Sequence, residues 1–228
     1  MARSTRSARK GPAFARAPKL PWFKGGAAGC LLCATMNLGA AEPAAGAAEA
    51  QRAGAAQLMN ELMAGQVAIG VPFSLTDQKG RPAGPAQWQG RIVLLYFGYL
   101  SCPDACPTDL GAIGAAIDAL GPLGAKVQPV FVTLDPDRDT PDSIGRYAAS
   151  FHPRFAALWG SEAQIRDVAT AYKVFFEKVA EPGTTRYSID HTSFTYVLDA
   201  RGNYAGFFPP GTSAVRIAGR VRAMIEGE

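Results

Sequence analysis

The sequence predicts an α/β fold in which helices flank a central mixed sheet. Three observations carry that prediction. Arg91–Tyr99 (RIVLLYFGY) and Val127–Leu134 (VQPVFVTL) are continuous apolar runs rich in β-formers, the pattern of strands buried on both faces. Segments with apolar residues at helical spacing alternate with such runs. A strand–turn–strand pattern and one more helix close the chain.

In chain order, Val67–Leu75 reads as a strand and Asp77-Gln78-Lys79-Gly80 as a turn. After the first buried run, residues 107–121 carry Leu110, Ile113, Ile117 and Leu120 at helical spacing and stop at Gly121-Pro122. The second buried run is read as a strand despite Pro129. Thr140-Pro141-Asp142 opens a helix to about Ser150, with Thr140 as N-cap and Pro141 at the first helical position. Phe155–Trp159 is a short strand. Ser161 caps a helix to about Tyr172, and Gln164 three residues on completes a capping box. Lys173–Val179 is read as a strand, Glu181–Arg186 as a loop and Ser193–Leu198 as a strand. Asp199-Ala200-Arg201-Gly202 turns the chain into the hairpin partner Asn203–Phe208, and Thr212 or Ser213 begins a last helix to about Ile225. There is no internal repeat, no Walker A pattern and no GxGxxG.

Composition narrows the function classes. With 228 residues, 48% hydrophobic and 18% charged, the chain is neither a disordered nor a fibrous sequence. No clean apolar run reaches 18 residues, which excludes a polytopic membrane protein. Four cysteines are too few for a disulfide-stapled mini-protein. The formal charge of +4 is unevenly spread: residues 1–24 hold seven basic side chains and no acid, and the remaining 204 residues hold 16 basic and 19 acidic ones. A nucleic-acid binder concentrates positive charge on its folded domain, so nucleic-acid binding is not expected.

The basic stretch leads into Gly25–Ala41, 17 small or apolar residues, and then Glu42-Pro43. Residues 1–41 therefore read as a targeting segment, either a secretory signal peptide cleaved near Ala40 or Ala41 or an uncleaved membrane anchor. An Arg- and Ser-rich transit peptide is the third reading, and Ala-Ala-Gly-Cys30 lacks the apolar run a lipidation site needs. Cys30 and Cys33 are read as fillers of this segment rather than ligands. Residues 42–65 form an Ala-rich linker, and 66–228 one domain of 163 residues, enough to bury roughly 70% of its unfolded surface.

The strongest chemical feature is Ser101-Cys102-Pro103-Asp104-Ala105-Cys106-Pro107, between the first buried strand and a helix. Cysteines at i and i+4 share a helical face with Cβ atoms about 5–6 Å apart, which suits two sulfurs on one metal ion. Two prolines in the segment also leave a disulfide open. The helix N-terminus favours thiolate over thiol in either case. Two buried cysteines, or an inert disulfide, are the plain alternative, disfavoured because reactive thiols sit at such strand–helix junctions.

Only two histidines exist. His152 reads as an exposed loop residue. His191 lies just before an inner strand, whose start can sit beside the cysteine-bearing helix in a sheet-based fold. Two thiolates and one imidazole would then form a three-coordinate site that suits Cu(I), whereas zinc wants a fourth ligand. Asp190 is a ligand, an outer partner or, in the reading preferred here, a turn former. Asp135-Pro136-Asp137-Arg138-Asp139-Thr140-Pro141 reads as a solvated turn with a structural or docking role rather than a catalytic one.

These residues together resemble the Sco/SenC family of copper chaperones. The resemblance rests on Tyr96-Phe97-Gly98-Tyr99, on Cys102 to Pro107, on Asp135 to Pro141, on Asp190-His191-Thr192 and on Asp199 to Tyr204, in the family's order, from about Val71 to Ile225. Leu100 departs from the family's usual threonine and is expected to adjust packing only. The resemblance implies a thioredoxin-like fold with an inserted β-hairpin. It implies copper, as Cu(I) with Cu(II) as a second form, held by Cys102, Cys106 and His191. It also implies delivery of copper to the CuA site of cytochrome c oxidase subunit II, or preparation of that site's cysteines. The setting expected is the periplasm or a periplasm-facing inner-membrane tether through the N-terminal segment, with the mitochondrial intermembrane space as the alternative.

A binding protein without turnover is thus expected first. The second reading is a thiol–disulfide oxidoreductase in which Cys102 attacks and Cys106 resolves. Against it, redox motifs usually space their cysteines by two residues, and no proline stands at Asp190-His191-Thr192 to face the cysteines. A peroxidase is third, because such enzymes rely on one cysteine rather than a pair with a histidine.

Overall fold

The computed structural model describes residues 57, 60–61, 69–70 and 72–227. Residues 1–41, read above as a targeting segment with Cys30 and Cys33, and most of 42–65, read as a linker, lie outside the described residues. Among the described residues from Leu75 on, nine strands and four α-helices follow in order: β1 Leu75–Asp77, β2 Pro82–Ala83, β3 Ile92–Gly98, α1 Ala105–Ala119, β4 Val127–Thr133, α2 Pro141–Phe151, β5 Ala156–Trp159, α3 Glu162–Ala171, β6 Phe176–Ala180, β7 Tyr187–His191, β8 Thr195–Leu198, β9 Tyr204–Phe208 and α4 Ala214–Glu226.

Seven strands form one mixed sheet in the order β2-β1-β5-β4-β3-β8-β9. β3 pairs in parallel with β4 and antiparallel with β8, so the two apolar runs of the sequence are neighbours at its centre. Both are buried at every position. Because side chains alternate along a strand, each run feeds two cores. Leu94, Tyr96 and Phe131 pack with Ile113, Ile144 and Ile217 of α1, α2 and α4 on one face. Leu95, Phe97, Val130 and Val132 pack with Ile165 and Val168 of α3 and with Trp88 and Tyr172 on the other. Pro129 is tolerated because β4 pairs with β5 only over Val130–Val132, which leaves the proline outside that ladder.

The helix signals hold in detail. Thr140 Oγ1 accepts from Ser143 N and Ser161 Oγ from Gln164 N, each the first half of a capping box. In α1, a Cβ on Gly114 would stand 2.5 Å from the Phe151 carbonyl oxygen, so the glycine is what lets α1 approach the end of α2.

Two expectations need correction, and one strand has no counterpart in the sequence reading. Of the strand read at Val67–Leu75, only Leu75 is in a strand among the described residues; it opens β1, which pairs with β2 through a turn at Asp77, whose carboxylate accepts from Lys79 N, Arg81 N and the Arg81 guanidinium. The strand read at Lys173–Val179 is β6, shifted toward the C-terminus. Tyr187–His191, which the sequence reading assigns to no element, is β7, paired with β6 as a separate two-stranded sheet. The polar β7 (YSIDH) buries only Ile189 fully, which leaves little apolar signal to read.

Candidate metal centre

β3 ends at Gly98, and the chain crosses from Tyr99 to α1 through the cysteine segment. Cys102 is half-buried and Cys106 fully buried, and both are free thiols. They do not share a helical face, contrary to the spacing argument. Cys102 precedes the helix, its N–H donating to the Tyr99 carbonyl at 3.2 Å, and Cys106 lies in the first turn. Asp104, at the N-cap, makes no side-chain cap. The Cys102 sulfur takes that place, accepting from Cys106 N at 3.5 Å. A thiolate at the positive end of a helix meets both the dipole and unpaired N–H groups.

The two sulfurs divide the ionisation between them. The Cys106 thiol donates to Cys102, and with the Asp104 and Cys106 backbone N–H groups this brings Cys102 down to about 5 against the cost of burial. Cys106 moves the other way, held protonated by that same bond and by its burial. Space for its sulfur comes from Gly98, where a Cβ would lie 2.7 Å from Cys106 Sγ.

His191, the last residue of β7, brings Nε2 to 3.7 Å from Cys106 Sγ. Its Nδ1 lies 3.1 Å from the Ile189 carbonyl oxygen. A proton on Nδ1 satisfies that carbonyl and turns the Nε2 lone pair toward the sulfur, the orientation a ligating histidine needs. With bond lengths of about 2.3 Å to sulfur and 2.05 Å to nitrogen, as for zinc, a shared ion at a trigonal angle sets the donors about 3.8 Å apart. Among the described residues, no three His, Cys, Asp or Glu side chains are closed round a single point as an assembled metal site would be. The donors stand as an open set, with Cys106 still carrying its proton.

Around them lie groups that spacing could not reveal. Tyr96 donates to buried Asp109 at 3.2 Å, and Gly211 N donates to the other carboxylate oxygen at 2.8 Å. Burial pushes the Asp109 carboxyl up. Ser193 Oγ is 3.4 Å from His191 Nε2, and the Tyr99 ring meets the imidazole edge-on at 5.7 Å. Tyr96, Gly98 and Tyr99 stand in a segment on which the family resemblance rests, whereas Asp109 and Ser193 carried no chemical signal in the sequence.

Other candidates fall outside the set. Asp190 is exposed in mid-strand, one residue from His191 and so on the opposite face of β7; it is not a turn former. His152 is not an exposed loop residue. It closes α2 with its side chain 10% exposed, Nδ1 accepting from Arg154 N at 3.2 Å and Nε2 3.5 Å from Asp118. The acidic run is not a solvated turn either, since Asp135 is fully buried and Asp139 nearly so. Asp139 accepts from Thr133 Oγ1 and Leu100 N, and its burial pushes its carboxyl up.

Residues 62–226 match the family model described as SCO1/SenC. A SCO2-like protein of Rickettsia prowazekii is 42% identical over 153 residues, covering 67% of this chain and 75% of that one. The copper-bound structure of ScoI from Bradyrhizobium japonicum is 36% identical, with a TM-score of 0.64 over 69% of this chain and 99% of that one. ScoI of Arabidopsis thaliana, also with copper bound, is 34% identical, with a TM-score of 0.66 over 71% and 100%. These neighbours share the thioredoxin-like fold, and the chain belongs to the SCO1/SenC family.

Proposed function

We propose that this protein is a copper metallochaperone that binds one Cu(I) through Cys102, Cys106 and His191. The observation that carries the reading is the 3.7 Å approach of a correctly oriented imidazole to a thiol pair at a helix N-terminus. Two thiolates and a neutral imidazole give a soft, low-coordinate set with a local charge of about −1, matched to Cu(I). The proton that Cys106 carries is what the ion displaces. Copper in the solved relatives from Bradyrhizobium and Arabidopsis supports the choice of metal.

Proteins of this family are associated with cytochrome c oxidase assembly. The CuA site of subunit II is the acceptor we infer, reached by exchange of thiol ligands while the two proteins are docked. The half-buried Cys102 is the exposed end of the set, where an incoming thiolate can attack. The N-terminal segment would tether the chain to a membrane facing the periplasm. Among the described residues no helix is long and apolar enough to cross one.

The divided ionisation also favours a second reading, thiol–disulfide exchange with Cys102 as nucleophile and Cys106 as resolving thiol. An anaerobic Cu(I) titration of the reduced full-length chain against a competing chelator separates them. Cys30→Ser and Cys33→Ser keep the tail thiols out of the measurement. One tightly held copper, weakened by each of Cys102→Ala, Cys106→Ala and His191→Ala, is the expected result. No specific copper, with a readily reduced Cys102–Cys106 disulfide, would favour exchange chemistry instead.

A further inference from the structure

The acidic run after β4 has no part in the site as described, yet it touches the hairpin that carries His191. β6 and β7 share no ladder bond with the seven-stranded sheet. A two-stranded hairpin is marginal by itself, so side chains must hold it. At its far end the Tyr187 hydroxyl donates to buried Asp135 at 2.7 Å. The Arg138 guanidinium is paired with the same carboxylate, donates to the Tyr187 carbonyl at 2.9 Å and stacks 3.7 Å from the Tyr187 ring centroid. Lys178 of β6 reaches Asp137 at 2.6 Å. Arg138 therefore grips one residue three ways: through its carbonyl, its ring and the acid its hydroxyl meets.

Tyr187, Ile189 and His191 alternate onto one face of β7. Four residues of strand put the gripped end about 13 Å from the imidazole. Ile189 is buried between them and supplies the carbonyl that orients Nδ1. A tilt of the hairpin at Tyr187 is thus carried along a single strand to the ligand.

We propose that Arg138 and Tyr187 are positioning residues for copper binding, clamping the β6–β7 hairpin so that His191 is presented to the two sulfurs; this rests on His191 being a copper ligand. The clamp acts chiefly on the imidazole, because Cys106 lies in α1 and Cys102 in the segment joining β3 to it, which Arg138 meets only at the Tyr99 ring, 6.0 Å away. Arg is required in place of Lys, since the planar fork makes the carbonyl, carboxylate and ring contacts together. Outer partners that orient a metal ligand typically change affinity by about 10- to 100-fold.

The test uses the full-length chain with Cys30→Ser and Cys33→Ser, read by Cu(I) competition and by amide hydrogen exchange of the copper-free protein. Tyr187→Leu is expected to weaken Cu(I) about tenfold and to speed exchange at Ser188–Thr192, with β3 amides unchanged. Arg138→Lys and Tyr187→Phe move both readouts in the same direction by less, and they carry the test if Tyr187→Leu loses β3 protection. In a His191→Ala background, Tyr187→Leu should cause no further loss of copper affinity. The proposal is overturned if these variants leave affinity and β7 exchange unchanged, or if the loss persists without His191. If His191→Ala itself leaves affinity intact, the ligand reading fails and the proposal with it, while faster β7 exchange would still show that the hairpin is clamped.

Discussion

The sulfurs and the imidazole of the site come from two regions built in opposite ways. The cysteines hang on β3 and α1, where Leu94, Leu95, Tyr96, Phe97, Leu110 and Ile113 are wholly buried and ladder bonds run to both neighbouring strands. The imidazole hangs on a hairpin whose β6 is exposed at four of its five positions and whose grip on the domain is made by side chains. The first region fixes positions by close packing; the second by a few polar contacts that open at lower cost. For the copper carrier proposed above, that division would keep two ligands in place and let the third leave with its hairpin.

The contrast predicts unequal effects. Phe131→Ala, in the sheet, should cost about 3–5 kcal/mol in urea unfolding, as deletion of a fully buried aromatic does. A loss under 1 kcal/mol would show that the β3–β4 region is not the rigid one. Gly98→Ala should be the next largest, about 1–3 kcal/mol, because the added methyl meets Cys106 Sγ, Tyr96 and Phe131. It should also weaken Cu(I) binding, and unchanged binding would mean that the sulfur has room to move.

The two thiols sharpen the comparison within the rigid region. A lowered pKa means that Cys102 stays thiolate, and reactive, until pH falls through about 5. Its alkylation by iodoacetamide, followed by peptide-resolved mass spectrometry, should be flat from pH 8 to 6 and fall below that, with Cys106 unmodified in the folded chain. An ordinary thiol would lose about tenfold per pH unit below 8.5. Such a slope at Cys102 would sink the divided ionisation. At the small end, Val179→Ala on the exposed face of β6 should change stability by less than about 0.5 kcal/mol. Asp190→Asn should leave copper affinity unaltered, and a weakened site would put that carboxylate back among the ligands.

The same division decides how much the sequence discloses. β3 and β4 are legible because burial on both faces leaves uninterrupted apolar runs, and α2 and α3 because Thr140 and Ser161 announce their caps. The CxxxC segment declares its chemistry by residue type. Its geometry is hidden, because the spacing suggests one helical face whereas Cys102 lies ahead of the helix and caps it with sulfur. β7 is hidden for the opposite reason, since a strand held by Arg138 and Asp135 needs little apolar pattern of its own. Asp135 and Asp139 mislead in the same way: a charged run looks solvated until folding sets Thr133 and Arg138 against its carboxylates and brings in Tyr187 from 52 residues away. Tyr96 and Asp109, thirteen residues apart, pair only through the turn from β3 into α1.

The most direct test of a site shared between a fixed and a releasable region is X-ray absorption at the copper edge. It would be made on the Cu(I)-loaded full-length chain carrying Cys30→Ser and Cys33→Ser, beside the same chain with His191→Ala. Two sulfurs and one nitrogen around the metal are predicted, with the nitrogen missing from the variant and both sulfurs retained. A coordination shell unchanged by His191→Ala, or one made of sulfur alone in the parent, would contradict it.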